Sequence, residues 1–400
     1  MSTLATRIPN ERRALAALGV VVGIVAALLM VPPITLRSPI VPVVVGLVAV
    51  TIGIGSWIRG ERRVGGYAIA AGAIGMTIGL LATRSSIENL DSVVVWGALV
   101  GATLRYATPL VFASLGGLFS ERAGVVNIGL EGMMLTGAFF AIWGADVTGT
   151  WTLGLAIGIA SGAVFGLLHA FFSITLRADQ IVGGTAVNLI ALGLTTYLFI
   201  KIYGTQGTPT GISSIPNVSI GFLDGIPGIG NFLDDVFGQL NLMIWAGFVL
   251  VFVVWIVVFK TPIGLRIRAV GEHPRAADTV GINVYAVRYG AVILSGALAA
   301  AGGAYLSLGF VETFDQNMTA GRGFIALAAL IFGSWRPFGA AAACLLFGFS
   351  SAFSDNLQTY STSVSVLFEA LPYALTLVAV AGVIGRSIPP AAVGRPYVKQ

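Results

Sequence analysis

The sequence predicts an all-α, polytopic integral membrane protein with about 10–12 transmembrane helices and both termini on the cytoplasmic side. Three observations predict it. Only 10% of the 400 residues are Asp, Glu, Lys or Arg while 56% are hydrophobic, and the mean hydropathy is +0.92, more apolar surface than one soluble core can hide. The apolar residues come in runs of about 18 or more, the length that crosses the hydrocarbon as a helix. Lys and Arg gather in alternate connections between the runs, which sets an orientation.

Twelve runs follow in order, at 14–31, 38–57, 64–83, 92–117, 124–143, 151–176, 179–203, 241–260, 286–310, 322–335, 337–355 and 364–385. The first follows Arg12-Arg13 as a secretory signal would. It ends at Val31-Pro32-Pro33 without a small-x-small cleavage site, so it reads as an uncleaved span. The segment 204–240, rich in Gly, Pro and Asn, is expected to form an external cap with short structured pieces. The run 322–335 is too short to cross comfortably and meets its neighbour after Trp335-Arg336, so the two are either separate spans or a re-entrant hairpin. With the N-terminus inside, seventeen of the 22 Lys and Arg lie on the cytoplasmic side. Arg37, Arg84, Lys201 and Arg322 fall outside, and Arg105 lies within a span. The cell membrane is the expected location, with the bilayer as the main partner.

Composition also excludes chemistries. Cys344 is the single cysteine, so neither an intrachain disulfide nor a cysteine metal cluster can form, and His169 and His273 are too few for a His-rich zinc site. Lys201, Lys260 and Lys399 are the only lysines and none lies in a phosphate-cradling Gly-x-x-x-x-Gly-Lys-Ser/Thr loop. No catalytic residue, metal or cofactor is expected on this chain. The net charge of +5 reflects loops flanking spans rather than a nucleic-acid surface.

The longest hydrophilic stretch on the cytoplasmic side is 261–283. Pro274 suits a first helical position and Gly281 the residue just past a helix end, with Ala276, Ala277 and Val280 between them and Arg275 and Asp278 flanking. So short a helix needs a surface to hold it; the other reading is a plain connecting loop with topogenic arginines. Here Gly264-Leu265-Arg266-Ile267-Arg268-Ala269-Val270-Gly271-Glu272-His273-Pro274-Arg275-Ala276-Ala277 resembles the permease subunits of bacterial ATP-binding cassette (ABC) importers, in the branch serving ribose-type sugars, branched-chain amino acids and nucleosides. A second stretch, Leu115 to Phe139 with Ser120-Glu121-Arg122-Ala123-Gly124-Val125-Val126-Asn127-Ile128-Gly129-Leu130-Glu131-Gly132-Met133-Met134 at its centre, is similar to the nucleoside-type permeases that work with a basic-membrane-lipoprotein receptor.

The resemblance spans about 92–385. It implies a permease core at 91–390, with the external loop 204–240 and a cytoplasmic coupling segment 261–285, preceded by an extension at 1–90 holding about three spans. It implies that Gly264, Arg266, Arg268, Gly271, Glu272, Pro274, Arg275, Ala276, Ala277 and Gly281 belong to the segment that docks on an ATPase subunit. It also implies three partners: that ATPase, which would hold ATP and Mg, a second homologous permease, and an extracytoplasmic solute-binding lipoprotein. The function implied is half of a translocation pathway for nucleosides or related small polar solutes. The alternative is a stand-alone ion-coupled secondary transporter, for which the spans offer few ionisable groups beyond Arg105, Glu131, His169 and Glu369.

Polar residues inside the runs are candidates for the path. Arg105 must face a polar cavity or a partner, and Glu131 on the next run is a possible counter-charge, whether in a path or in a structural ion pair. Asn127, Thr185 and Asn188 could serve a ribose or base, or tie helices together. Gly154, Gly158, Gly162 and Gly166 make a flat stripe that allows close helix approach, for sliding or for static packing, and Gly97 and Gly101 repeat it on a smaller scale. His169, one turn beyond, reads better as a packing residue than as a proton relay.

Overall fold

Most of the apolar runs become helices in the computed structural model, which describes residues 18–20, 22, 23, 26, 40–84, 96–204, 206–222, 230–358 and 388–399. The predicted run 364–385, most of 14–31 and the boundary at 90 lie outside these residues. The chain divides into two units, 1–95 and 96–400. In the first, α1 (Ile40–Ile58) and α2 (Arg62–Arg84) form a helical hairpin. Its two backbones touch where glycines face each other: a Cβ on Gly53 would lie 2.8 Å from the Gly65 carbonyl oxygen.

The second unit runs α3 (Trp96–Arg122), α4 (Leu130–Thr148), α5 (Trp151–Ala170, ending in a π turn to Thr175) and α6 (Gln180–Tyr203). A cap follows, in which β1 (Asn217–Ser219) pairs antiparallel with β2 (Gln239–Asn241) around α7 (Gly230–Phe237). Next come α8 (Leu242–Lys260), the short helices α9 (Pro262–Glu272) and α10 (Pro274–Thr279), and α11 (Val284–Tyr305, ending in a π turn to Phe310). The half-length α12 (Arg322–Phe332) and α13 (Pro337–Gln358) complete the described helices. Among the described residues, seven helices are long and apolar enough to cross a membrane: α1, α3, α5, α6, α8, α11 and α13.

The glycine stripe decides how the centre packs. Gly154, Gly158, Gly162 and Gly166 are all buried, and they seat α5 against α4 and α11. A Cβ on Gly154 would lie 2.5 Å from the Ala141 oxygen, one on Gly158 2.7 Å from the Gly137 oxygen, and one on Gly166 2.8 Å from the Val292 oxygen. This is close packing of backbone on backbone. Gly97 and Gly101 do the same for the cap, where Asp235 of α7 lies over both and its carbonyl oxygen is 3.0 Å from a Gly101 Cβ position. α3 and α11 are largely buried within the chain, whereas α6 and α8 turn most of their surface outward, toward lipid or a partner.

Two predicted runs end differently from their expectation. The run 124–143 becomes helical only at Leu130, because Gly124 takes φ +89° and the backbone from 124 to 129 is irregular. The run 322–335 is an eleven-residue helix, about 16 Å long against a hydrocarbon core of about 30 Å. A turn follows in which Ser334 and Trp335 both have φ +53°, and then α13 begins. The pair is therefore a half-helix followed by a full-length one.

Candidate functional site: the cytoplasmic coupling segment and polar groups at membrane depth

Thr261 starts the cytoplasmic segment by accepting the Gly264 N–H at 3.2 Å, with Pro262 in the first turn of α9. His273 interrupts the helix, Pro274 restarts it as α10, and Gly281 at φ +85° follows its end. The ten residues expected to dock on an ATPase then divide by surroundings. Gly264 and Gly271 give close backbone approach: a Cβ on Gly264 would lie 2.5 Å from the Val258 carbonyl carbon, and one on Gly271 2.8 Å from that of Arg122. Arg268 stands over the Phe259 ring at 5.3 Å from its centroid, with Arg122 also on that ring at 5.5 Å. Glu272 accepts the Ala391 N–H at 3.2 Å. Pro274 is partly buried, and Ala277 is buried with Val270, Val284 and Tyr397. Arg266, Arg275, Ala276 and Gly281 are exposed, as is Val280. One side of α9–α10 is thus welded to the ends of α3 and α8, and the other offers arginines and small apolar groups outward.

The weld continues into the membrane. Arg122 donates from Nε and Nη2 to the Trp335 carbonyl at 3.1 and 2.7 Å, and the buried Glu121 carboxylate accepts the Trp335 indole N–H. The Glu121-Arg122 pair therefore grips the left-handed turn between α12 and α13.

The candidate path residues do not converge on one cavity. Asn127 is fully buried and donates to the Ser295 hydroxyl at 2.9 Å. Asn188 donates to the Ile128 carbonyl at 3.0 Å and accepts the Gly132 N–H at 2.8 Å. The Val126 N–H goes to Gln180 at 2.7 Å, and the Val126 carbonyl is 2.9 Å from Nε2 of buried His169. These side chains satisfy the irregular backbone at 124–129, which lipid could not. Thr185 is exposed on α6 and bonds back to the Ile181 carbonyl at 2.9 Å.

Glu131 is buried where the N-termini of α4 and α12 meet. Its Oε1 accepts from the Thr319 hydroxyl at 2.6 Å and the Gly321 N–H at 2.8 Å, and its Oε2 accepts the Gly323 N–H at 2.6 Å. Its partners are thus the start of α12 rather than Arg105.

Arg105 is exposed on α3, and its backbone carbonyl faces Pro109, which has no N–H to give it. Around it lie groups that sequence reading left unassigned. Tyr106 donates its hydroxyl to Asp355 and meets Phe310 edge-to-face at 5.1 Å between centroids. Residues 106, 310 and 355 are brought together only by the fold; the one local signal is a Tyr beside a membrane Arg. At similar depth a cavity of about 50 Å3 is lined by apolar groups such as Leu104, Val111 and Phe248, too small and too dry for a polar solute.

A family model described as "Branched-chain amino acid transport system / permease component" matches residues 99–380. The guanosine ABC transporter permease protein NupQ of Bacillus subtilis (strain 168) is 44% identical over 78% of this chain and 99% of its own length. The nucleoside ABC transporter permease protein NupC of Lactococcus lactis subsp. cremoris (strain MG1363) is 41% identical over 75% of this chain and 96% of its own. The putative glucose ABC transporter permease protein TsgC13 of Haloferax volcanii is 38% identical over 68% and 80%. No solved structure matches. The half-helix, the short cytoplasmic helices and the match across nearly the whole second unit agree: the chain belongs to the branched-chain amino acid transport system permease family and is the multi-pass membrane subunit of an ABC importer.

Proposed function

We propose that this permease carries nucleosides, that it supplies half of the pathway facing a second homologous permease, and that α9–α10 dock on the ATPase while the cap receives a solute-binding lipoprotein. The observation that carries the path is the outward cluster on α3. Arg105 and Asp355 are charged, exposed and set within membrane-length helices, where a charge facing lipid would cost at least about 2.5 kcal/mol. A facing permease would turn that surface into a lined channel. Its chemistry suits a nucleoside: a carboxylate for the ribose diol, aromatic faces at Tyr106 and Phe310 for the base, and a guanidinium and a free carbonyl for base edges. Relatives at 44% and 41% identity named for guanosine and nucleosides support the class. Of the five candidate path residues we assign only Arg105 to the path.

The test is ATP-driven uptake into proteoliposomes holding both permeases, the ATPase and the receptor, with labelled guanosine, adenosine and glucose in parallel. Guanosine and adenosine should accumulate, and Arg105→Gln or Asp355→Asn should lower uptake with receptor affinity unchanged. Uptake of glucose alone refutes the substrate class, and wild-type uptake by both variants refutes the path.

A further inference from the structure

We infer that the C-terminal tail, residues 388–399, is a positioning element for the coupling helix: it clamps α10 onto α11 and α3 at Ala277, leaving the exposed first turn free for the ATPase. The inference rests on the coupling reading above and goes beyond it, since it places part of the transmission in a segment that never touches the path.

α10 has six residues, far short of the length at which a helix holds itself. The tail is one of the surfaces that hold it, beside α9 and α11. Ala277 is buried with Val270, Val284 and Tyr397, so one of the three walls around it is the tail's aromatic ring. The Tyr397 ring meets Tyr285 of α11 at 5.5 Å between centroids, its carbonyl accepts from the Tyr285 hydroxyl at 3.4 Å, and Lys399 Nζ stands 3.9 Å from the Asp278 carboxylate of α10. Upstream, the Ala392 N–H goes to the Gly271 carbonyl at 2.9 Å and the Ala391 N–H to Glu272 at 3.2 Å. The tail thus bonds both sides of the His273 break, the joint between α9 and α10.

The same tail is anchored to the pore. Arg288 of α11 is 1% exposed. Its Nε donates to the Ala123 carbonyl at the end of α3 at 3.2 Å, and its Nη1 donates to the Arg395 carbonyl at 3.1 Å. One buried guanidinium therefore ties the tail to the two most enclosed long helices of the second unit. Two of its three nitrogens are held by carbonyls while Nη2 has no hydrogen-bond partner, so losing either acceptor would leave still more of a buried charge uncompensated. Arg275 and Ala276 line, with Arg395 and Val398, an open cavity of about 500 Å3 between the tail and the start of α10, so the tail holds α10 at Ala277 and leaves its exposed first turn accessible.

The experiment uses the assembled transporter in nanodiscs and proteoliposomes, with a chain ending at residue 387, Tyr397→Ala and Tyr397→Phe, and reads hydrogen exchange of 274–279 and solute taken up per ATP hydrolysed. Truncation and Tyr397→Ala should raise exchange and lower the uptake-to-hydrolysis ratio about tenfold, the factor that about 1.4 kcal/mol in the docking equilibrium of α10 gives, with the ATPase still bound. Tyr397→Phe keeps the ring and should recover most of both. Unchanged exchange, or a wild-type ratio despite raised exchange, overturns the inference. Arg268→Glu with Arg275→Glu in the intact chain tests the coupling reading separately: normal transport by that variant refutes the coupling reading itself, whatever the tail does.

Discussion

Replacing Glu131 separates a structural carboxylate from a counter-ion. Its two oxygens take three donors at the buried start of α12. Hydrogen bonds between membrane helices contribute about 0.6 kcal/mol on average and up to about 1.7 each, so removing all three in Glu131→Ala should cost about 2–5 kcal/mol. Glu131→Gln keeps one oxygen for Thr319 and Gly321 and turns an N–H donor toward the Gly323 N–H. That change should cost about 1–3 kcal/mol. The assay is reversible thermal unfolding in nanodiscs with Arg105→Gln and the double variant alongside. Because Arg105 contributes no partner to Glu131, the two costs should add within about 0.5 kcal/mol. A coupling well above that, with Arg105→Gln rescuing Glu131→Gln, would refute the capping role and restore the ion pair.

Trp335→Phe removes the indole donor from the buried Glu121 carboxylate and should destabilise the protein by about 1–3 kcal/mol, read as a fall in unfolding midpoint. Gly158→Leu drives a side chain into the Gly137 carbonyl and should abolish accumulation of folded protein on size exclusion, whereas Gly193→Leu, with open space around it, should behave as wild type. Burial, then the hydrogen bond to Asp278 and its charge, raise the Tyr397 phenol above its ordinary value. A group whose folded value is raised stabilises fully below its unfolded value, here about pH 10, and loses that as pH rises through the folded one. Tail contact should therefore weaken above about pH 10. Exchange at 274–279 would report it, with Tyr397→Phe lacking the phenol's own step.

What could be read from the sequence was what depends on neighbours in the chain. Apolar runs marked the helices, and Pro274 with Gly281 marked the limits of α10, because a missing N–H and a left-handed φ are local demands. The glycine spacing foretold a flat face, and it meets Gly137, Ala141, Val292 and Gly296 as such a face must. Hydropathy failed at 124–129, since an apolar composition looks the same whether its backbone is helical or served by Gln180, His169 and Asn188 from elsewhere. Glu131 was singled out as a membrane charge, yet its partners lie about 190 positions on. The tail was read only as basic residues near a terminus, since its grip on Gly271 and Arg288 has no local signature.

The packing of α5 against α4 and α11 also sets a schedule for biosynthesis. α4 and α5 leave the ribosome in succession, but their third partner is complete only at Tyr305, some 135 residues after Ala170. At about 5–20 residues per second this delay is roughly 7–27 s. Throughout it Gly162 and Gly166 present bare backbone to the lipid, a groove shaped for a helix not yet made, which any small-faced helix nearby could enter first. The fidelity of assembly in this importer therefore depends on α11 reaching that groove before a competitor does.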